Sequence, residues 1–245
     1  MKKLIFSLIV LTFFVSCKKE SLDMQSLKLN IQHQVGDEPL KLNQYLYTNR
    51  SGEKFEVTKL NYYISEIQLL KDEKVIFVKD SLWYTSLSGA QTDQQIRLPE
   101  APVGGFDAVQ FTFGLPDQWN AEDKVPLDQF RAMVWPAHMG GGLHFMKFEG
   151  NYFKAPQGEE EANGFAIHSG NLLKDGVVHD HFFTVHVPIA SSTEATREVN
   201  LVFDVSKWVD QPAQAYPFAE LSGIMGSVEK QAILVKHGPT AWREK

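Results

Sequence analysis

Histidine is the residue type whose number and spacing in this chain most suggest chemistry. Six of the eight histidines lie between His138 and His186, and residues 134–150 carry two of them beside a tryptophan and three consecutive glycines. Imidazole is the commonest metal ligand among side chains and titrates near neutral pH. A copper or zinc site is therefore the first hypothesis, and an accidental cluster of histidines is its alternative.

The segment around Trp135 predicts a loop that leads into a strand. The proline after Trp135 favours an extended backbone, and the glycines at 140–142 permit backbone angles closed to other residues. Residues 143–148 alternate as a strand that carries His144. The loop would then bring Trp135 and His138 to the end of that strand. The alternative is a glycine-rich turn with an exposed histidine.

Four further histidines fall on predicted strands. His168 ends the strand predicted at residues 164–168, where it could equally be a core histidine bonded to a backbone carbonyl. His179 and His181 are two residues apart, which would place both imidazoles on one face of a strand. That spacing suits chelation or a polar strand edge. His186 has the opposite parity and is expected outside the site.

The first 26 residues predict export and a lipid anchor. Lys2 and Lys3 precede an apolar run at residues 4–15, which is shorter than the roughly 20 residues that span a bilayer and suits a secretory signal. The run ends at Cys17, the only cysteine, in a context that resembles a bacterial lipobox. We therefore expect a lipoprotein signal peptide at residues 1–16, a lipidated Cys17 with a polar tether to residue 26, and one domain at 27–245.

The anchored protein is expected outside the cytoplasm. By likeness to other bacterial lipoproteins, Lys18 after the cysteine favours the outer membrane of a Gram-negative bacterium, facing the periplasm or the surface. An ordinary cleaved signal peptide is the alternative, and it leads to the same side of the inner membrane.

Composition and missing motifs exclude several function classes. The net charge of −6 argues against nucleic acid, whose binders need a basic surface. A single cysteine removes disulfides, thiolate zinc sites and blue copper. No G-x-S-x-G, H-E-x-x-H, P-loop or dinucleotide motif is present. A zinc hydrolase using the histidines at 138, 144, 179 and 181 would therefore lack any recognised motif, and we expect a protein that is not an enzyme.

Short alternating segments separated by turn residues predict an all-β fold. Residues 27–35 alternate strictly and place His33 on the apolar face of a strand. The architecture expected is a single antiparallel β-sandwich with long loops and a few short helices. Strands are predicted at 27–35, 54–70, 75–78, 108–114, 143–153, 164–168, 179–188, 198–205 and 232–236, and short helices at 123–133 and 207–209.

Four stretches, residues 29–40, 60–69, 133–150 and 165–170, resemble the MbnP-like copper-binding periplasmic proteins. These are methanobactin-associated partners of a MauG-like di-haem protein. The resemblance implies a β-rich domain that binds copper outside the cytoplasm, with a di-haem cytochrome c peroxidase-like protein as partner. It also implies that, in some members, histidines bind the metal together with a tryptophan oxidised to kynurenine.

The resemblance transfers particular residues. His33 and His168 match histidines of the family's first and fourth motifs, and Trp135 matches the tryptophan. The sequence after Trp135 departs from the commoner aromatic pattern, which leaves the oxidation open and adds His138 and His144 as ligands. The candidate metal ligands are therefore His33, His138, His144, His168, His181 and Trp135, with copper as the expected metal and zinc as the alternative.

A second function class stays open at this point. A metal-free β-sandwich could bind a glycan or an envelope protein through its aromatic side chains, for which Trp83, Trp119 and Trp208 are the candidates.

Overall fold

The computed structural model describes residues 26–89, 92–154, 161–190, 196–211 and 213–245. The predicted signal peptide, Cys17 and all of the tether except Ser26 lie outside these ranges. No helix within them is long and apolar enough to cross a membrane. The α-helices are α1 (Leu127–Met133) and α2 (Val228–His237). The strands are β1 (Leu27–Val35), β2 (Glu38–Pro39), β3 (Tyr47–Thr48), β4 (Lys54–Lys71), β5 (Lys74–Ser86), β6 (Asp93–Leu98), β7 (Ala108–Phe113), β8 (Met146–Phe153), β9 (Asn163–Ser169), β10 (Leu172–Lys174), β11 (Val177–His179), β12 (Phe183–Pro188), β13 (Glu198–Asp204) and β14 (Trp242–Glu244).

The larger of two main sheets has seven strands and supports the histidine-rich half of the chain. Its order is β12-β7-β4-β8-β9, and β3 and β5 also pair with β4, all antiparallel. The long strand β4 is rich in aromatic and β-branched residues, which favour a pleated, half-buried surface. Strand β9 forms one edge of the sheet, so His168 lies close to an edge.

The smaller sheet brings the two ends of the described chain together. Its order is β14-β13-β1-β2, with β6 on the other side of β1. The predicted all-β sandwich is confirmed, but β1 and β13 pair in parallel, with Leu29 opposite Val199, where the sequence predicted antiparallel strands throughout. Parallel pairing needs a long connection, and most of the chain lies between these two strands.

Two hydrophobic clusters lie on the two faces of the seven-stranded sheet. The main core fills the space between the sheets and includes the aromatic side chains of Tyr62, Phe113, Phe203 and Trp208. A second, smaller cluster lies on the opposite face, which we call the outer face, and consists of Tyr63, Leu115, Met133, Leu143 and Phe145. The segment between β7 and β8 therefore covers the outer face, and the side chains discussed below lie at its margin.

The helical segments match the sequence in part. Helix α1 lies within the predicted helix at 123–133, and a 3-10 helix at Val205–Trp208 overlaps the one predicted at 207–209. The strand predicted at 232–236 is wrong, because these residues belong to α2. A short apolar run does not by itself distinguish strand from helix, and the Ser227 side chain caps this one by accepting the Lys230 N–H at 3.2 Å.

Candidate metal centre

Residues 134–143 form a loop, here called the Trp135 loop, whose two ends are joined by backbone pairing. Val134 pairs with Leu143 in an isolated bridge, and the Trp135 N–H donates to the Gly142 carbonyl at 2.8 Å. Residues 140–142 all have positive φ, between 69° and 117°, which glycine adopts without strain. The loop folds back so that Trp135 is only 1% exposed, and its indole N–H donates to the Met139 carbonyl at 3.2 Å.

His144 is buried just before β8 and keeps one ring nitrogen without a partner. Its Nδ1 lies 3.0 Å from the Met133 carbonyl, which can only accept, so Nδ1 carries the hydrogen. Nε2 is buried and has no hydrogen-bond partner among the described residues. The pKa of His144 is lowered to about 3, chiefly because burial disfavours the charged form, with Lys147 adding to the effect. His144 is therefore neutral and carries a free lone pair on Nε2.

His168 lies on β9 and projects from the outer face of the large sheet. Its neighbour Ile167 points into the main core, so His168 points the other way. His168 Nε2 donates to Glu149 Oε1 at 2.9 Å, and the other carboxylate oxygen of Glu149 pairs with Lys59 at 2.8 Å. The pKa of Glu149 is lowered to about 2, first by the hydrogen bond from His168, with Lys59 adding to it against the effect of burial. In the neutral imidazole this leaves the lone pair on Nδ1, which has no partner in the described ranges.

Trp135, His144 and His168 lie side by side. The ring centroids of His144 and His168 are 5.0 Å apart at 86°, and those of Trp135 and His144 are 4.8 Å apart at 76°. Gly170 packs against the indole: a Cβ there would lie 2.7 Å from Trp135 Cε3. The Gly170 N–H donates to the fully buried side chain of Gln231 on α2, at 3.1 Å. No motif or spacing in the sequence singles out Gly170 or Gln231.

The donor set fits a metal of low coordination number. Each imidazole uses one nitrogen to bond a carbonyl or a carboxylate and leaves the other free, as metal-ligating histidines do. The Met133 carbonyl has this role for His144, and Glu149 has it for His168. The described residues contain no group of three or more His, Cys, Asp or Glu side chains that could hold a metal. Structural zinc needs four ligands and catalytic zinc three from the protein, so the two imidazoles alone would complete neither kind of zinc site.

His33 is not brought together with His168. It lies between the two sheets, 1% exposed, and both ring nitrogens are hydrogen-bonded, Nδ1 to the Thr92 carbonyl and Nε2 to the Tyr62 hydroxyl at 2.8 Å. The sequence correctly predicted that His33 faces the core. The large sheet separates it from the outer face, where His168 lies.

The remaining predicted ligands, His181 and His138, lie in different surroundings. His181 is buried, and its Nδ1 donates to the Gly170 carbonyl at 2.9 Å, so it borders the indole through Gly170. His138 is exposed on the 3-10 helix Ala137–Met139. His179 ends β11, whereas His181 follows in the connection to β12, so the two do not share one strand as predicted.

The aromatic residues of the alternative function do not form a surface platform. Trp208 is fully buried in the main core and cannot contact a glycan. Trp119 donates its indole N–H to Asp80 at 3.2 Å and packs against the outer cluster, and Trp83 packs against the core.

Fold and site together define the class of protein. It is a sandwich of two sheets in which two adjacent imidazoles lie beside a buried tryptophan. The model of the MbnP family matches residues 24–226, and the chain therefore belongs to the MbnP family, as the resemblance predicted. A solved structure, MbnP from Methylosinus trichosporium, is similar to it with a TM-score of 0.51 and 13% sequence identity, over 83% of each chain. At this identity the likeness concerns the fold. No curated protein sequence matches the chain.

Proposed function

We propose that this chain is a copper-binding lipoprotein of the cell envelope, without enzymatic activity, that holds one copper ion between His144 and His168. One observation carries the proposal: two adjacent imidazoles each keep a free nitrogen while the other nitrogen is hydrogen-bonded. Such second-nitrogen bonds fix the tautomer and the ring orientation that a metal requires. Membership of the MbnP family supports the choice of copper.

Trp135 is the third part of the proposed site. Its ring contacts His144 edge to face and is shielded from solvent. If the indole is oxidised to kynurenine, as the family resemblance implies, the ring-opened side chain supplies an aniline amine as a further neutral donor. The intact mass of the protein purified from its native host tests this separately from metal binding, because a mass that matches unmodified tryptophan contradicts the oxidation alone.

The proposed setting of this activity comes from the N-terminal residues and the family resemblance. A lipidated Cys17 would hold the domain at the outer membrane, and a di-haem cytochrome c peroxidase-like protein would be its partner. Co-purification with that haem protein, and mass spectrometry of an acylated N-terminal peptide, test these two points.

The decisive experiment measures copper(I) binding by the purified protein in competition with bathocuproine disulfonate. We expect one copper per chain, and loss of tight binding in both His144→Ala and His168→Ala. His186→Ala, an exposed histidine on β12, is the matched control and should bind like the wild type. Unchanged binding in the first two variants would refute the assignment of the ligands, and no binding by the wild type would refute the function.

A further inference from the structure

Tyr62 and His33 form a hydrogen-bonded polar pair inside the main core. Tyr62 is fully buried, and its hydroxyl lies 2.8 Å from His33 Nε2. A second, longer contact joins the hydroxyl to Gln94 Oε1 at 3.4 Å. The other nitrogen of His33 contacts the Thr92 carbonyl. Neither side chain belongs to the proposed copper site.

The hydrogen-bond pattern fixes the direction of the pair. The Thr92 carbonyl can only accept, so His33 Nδ1 carries the ring hydrogen and Nε2 keeps its lone pair. The Tyr62 hydroxyl therefore donates to His33 Nε2. Burial lowers the pKa of His33 to about 4 and raises the pKa of Tyr62. Both groups are thus neutral in the resting protein, a phenol hydrogen-bonded to a base.

We propose that Tyr62 is a redox-active tyrosine that loses one electron while its phenolic proton moves to His33. The O–H bond of Tyr62 breaks, an N–H bond forms at His33 Nε2, and a neutral tyrosyl radical and an imidazolium result. The electron goes to a one-electron oxidant, a high-valent transition-metal complex whose metal falls by one oxidation state. Return of one electron and the proton restores the pair.

The proton transfer follows from the acidity of an oxidised phenol. A phenol radical cation is a far stronger acid than the phenol, so an imidazole takes its proton even where burial has weakened that imidazole as a base. Without an acceptor, the buried phenol would have to carry the positive charge as a radical cation; with His33 as acceptor, that charge lies on an imidazolium whose Nδ1–H is already hydrogen-bonded to the Thr92 carbonyl. The His33 contact therefore lowers the potential at which Tyr62 is oxidised.

Aromatic side chains connect Tyr62 to Trp242, the first residue of β14, which is the edge strand of the smaller sheet. The Tyr62 ring lies 6.2 Å from that of Trp242, centroid to centroid, and 5.3 Å from that of Phe203. Trp242 stacks on Phe203 at 4.2 Å and is 5% exposed. Indole and phenol are the oxidisable side chains in this group. In the proposed reaction, Trp242 would relay the electron from Tyr62 towards the edge of the smaller sheet.

The next residue in the chain provides a matched control. Tyr63 is as fully buried as Tyr62, but it lies in the outer cluster, and its hydroxyl has no hydrogen-bond partner in the part of the chain that the structure describes. Burial raises its pKa too. Tyr63 shares the burial of Tyr62 and lacks the base.

The test uses photogenerated tris(bipyridine)ruthenium(III) as the oxidant and electron paramagnetic resonance of samples frozen after the flash. We expect a neutral tyrosyl radical in the metal-free wild type, its loss in Tyr62→Phe, and its retention in Tyr63→Phe. His33→Gln, which keeps a polar side chain but no basic nitrogen, should lose it as well. A radical that persists in Tyr62→Phe or His33→Gln, or that is lost in Tyr63→Phe, would overturn the proposal.

A second measurement needs no variant and covers the case in which Tyr62→Phe does not fold. In wild-type protein labelled with ¹⁵N-histidine, a radical on Tyr62 should show a nitrogen hyperfine coupling from His33. A tyrosyl radical without that coupling would place the oxidation on another tyrosine, and the absence of any radical would equally count against the proposal. Because copper takes no part, failure here leaves the copper proposal untouched.

Discussion

A buried nitrogen without a partner is costly, and His144 Nε2 is such an atom. Leaving a buried polar group unsatisfied costs about 1–3 kcal/mol. The remaining contacts of His144 are well formed: its backbone N–H and its Nδ1 both donate to the Met133 carbonyl, at 2.6 and 3.0 Å. Metal binding would give this nitrogen its missing partner, so the site is less stable without a ligand than with one.

Replacing Glu149 by glutamine tests the orientation of His168. Glu149→Gln keeps the shape but removes the charge that accepts the hydrogen from His168 Nε2. We expect copper affinity to fall by about 10–100-fold, the usual effect of removing a residue that orients a metal ligand. The measurement is the chelator competition described above. Glu56→Gln is the matched control, because Glu56 accepts a hydrogen bond from Asn151 on the same pair of strands and touches neither histidine. Equal affinities for both variants would contradict the role of Glu149.

Burial of His33 makes the stability of the protein depend on pH. Its pKa is about 4 in the folded protein against 6.5 for an ordinary histidine. Between these values the unfolded chain binds one more proton, so the free energy of unfolding falls as the pH is lowered from 6.5 to 4, by about 1.4 kcal/mol per pH unit. Above pH 6.5 this contribution is complete.

Urea unfolding of metal-free protein at several pH values checks this prediction. In His33→Gln the free energy of unfolding should depend less steeply on pH between 4 and 6.5, by the equivalent of about one bound proton. This holds whatever the absolute stability of the variant. His186→Gln, on an exposed position of β12, should keep the slope of the wild type. An identical slope in His33→Gln would show that His33 does not titrate differently in the folded and unfolded states.

At the residue scale, the sequence predicted burial better than it predicted contacts between distant residues. Strict alternation in β1 correctly predicted that His33 is buried, because burial on a half-buried strand follows from parity alone. Parity does not tell which face of which sheet a strand presents, so it could not show that His33 and His168 lie on different faces of the large sheet. Of the candidate ligands, Trp135, His144 and His168 converge because β8 and β9 are neighbours, which is a matter of long-range register.

At the scale of elements, the site depends on how closely β9 approaches the Trp135 loop. Gly170, directly after β9, touches the indole where no Cβ fits. The Gln231 side chain of α2 accepts a hydrogen bond from the Gly170 N–H, and His181 Nδ1 donates one to the Gly170 carbonyl. The loop, the strand end and the C-terminal helix are thus joined at one residue.

Gly170→Ala should disturb this junction. The added methyl must displace the indole or the strand end, and such overpacking costs about 1–3 kcal/mol. We expect a lower free energy of unfolding together with weaker copper binding. The control is Gly164→Ala, within β9 itself, where the nearest atom would lie 3.9 Å from the new Cβ. Thermal melts and copper titrations of the two variants make the comparison, and equal behaviour would contradict the tight packing of Trp135.

Elements with a strong local pattern were predictable, and those decided by tertiary packing were not. The strands β1, β7 and β9 follow from alternation within a few residues of their bounds. The apolar run at 232–236 predicts a strand, whereas the structure has a helix there that begins with a cap at Ser227. The hairpin of β10 and β11 was also missed, since Val177 and Val178 are both exposed and show no alternation. The dipeptide Asp175-Gly176 is the local signal that could have predicted this hairpin, because both residues of its turn have positive φ.

At the scale of the whole molecule, copper should stabilise the fold by mass action. A ligand that binds only the folded state, at 100 times its dissociation constant, raises the melting temperature by about 5–10 °C for a chain of this size. Differential scanning fluorimetry under reducing conditions, with and without copper(I), measures this shift. The double variant His144→Ala/His168→Ala should show no shift, and zinc should give a smaller one than copper with the wild type. A full shift in the double variant would mean that copper binds elsewhere.

The parallel pairing of β1 with β13 bears on how the chain acquires its structure. Lys28 and Glu198, an ion pair at 2.9 Å, are separated by 170 positions. Contacts so distant in sequence are slow to form, because the loop must close before they contribute. While the polypeptide is being synthesised, its first strand has no neighbour on that side until nearly everything else has emerged from the ribosome. The smaller sheet can therefore be completed only after β13 and β14 have been synthesised, whereas all strands of the larger sheet lie between them and β1 in the chain.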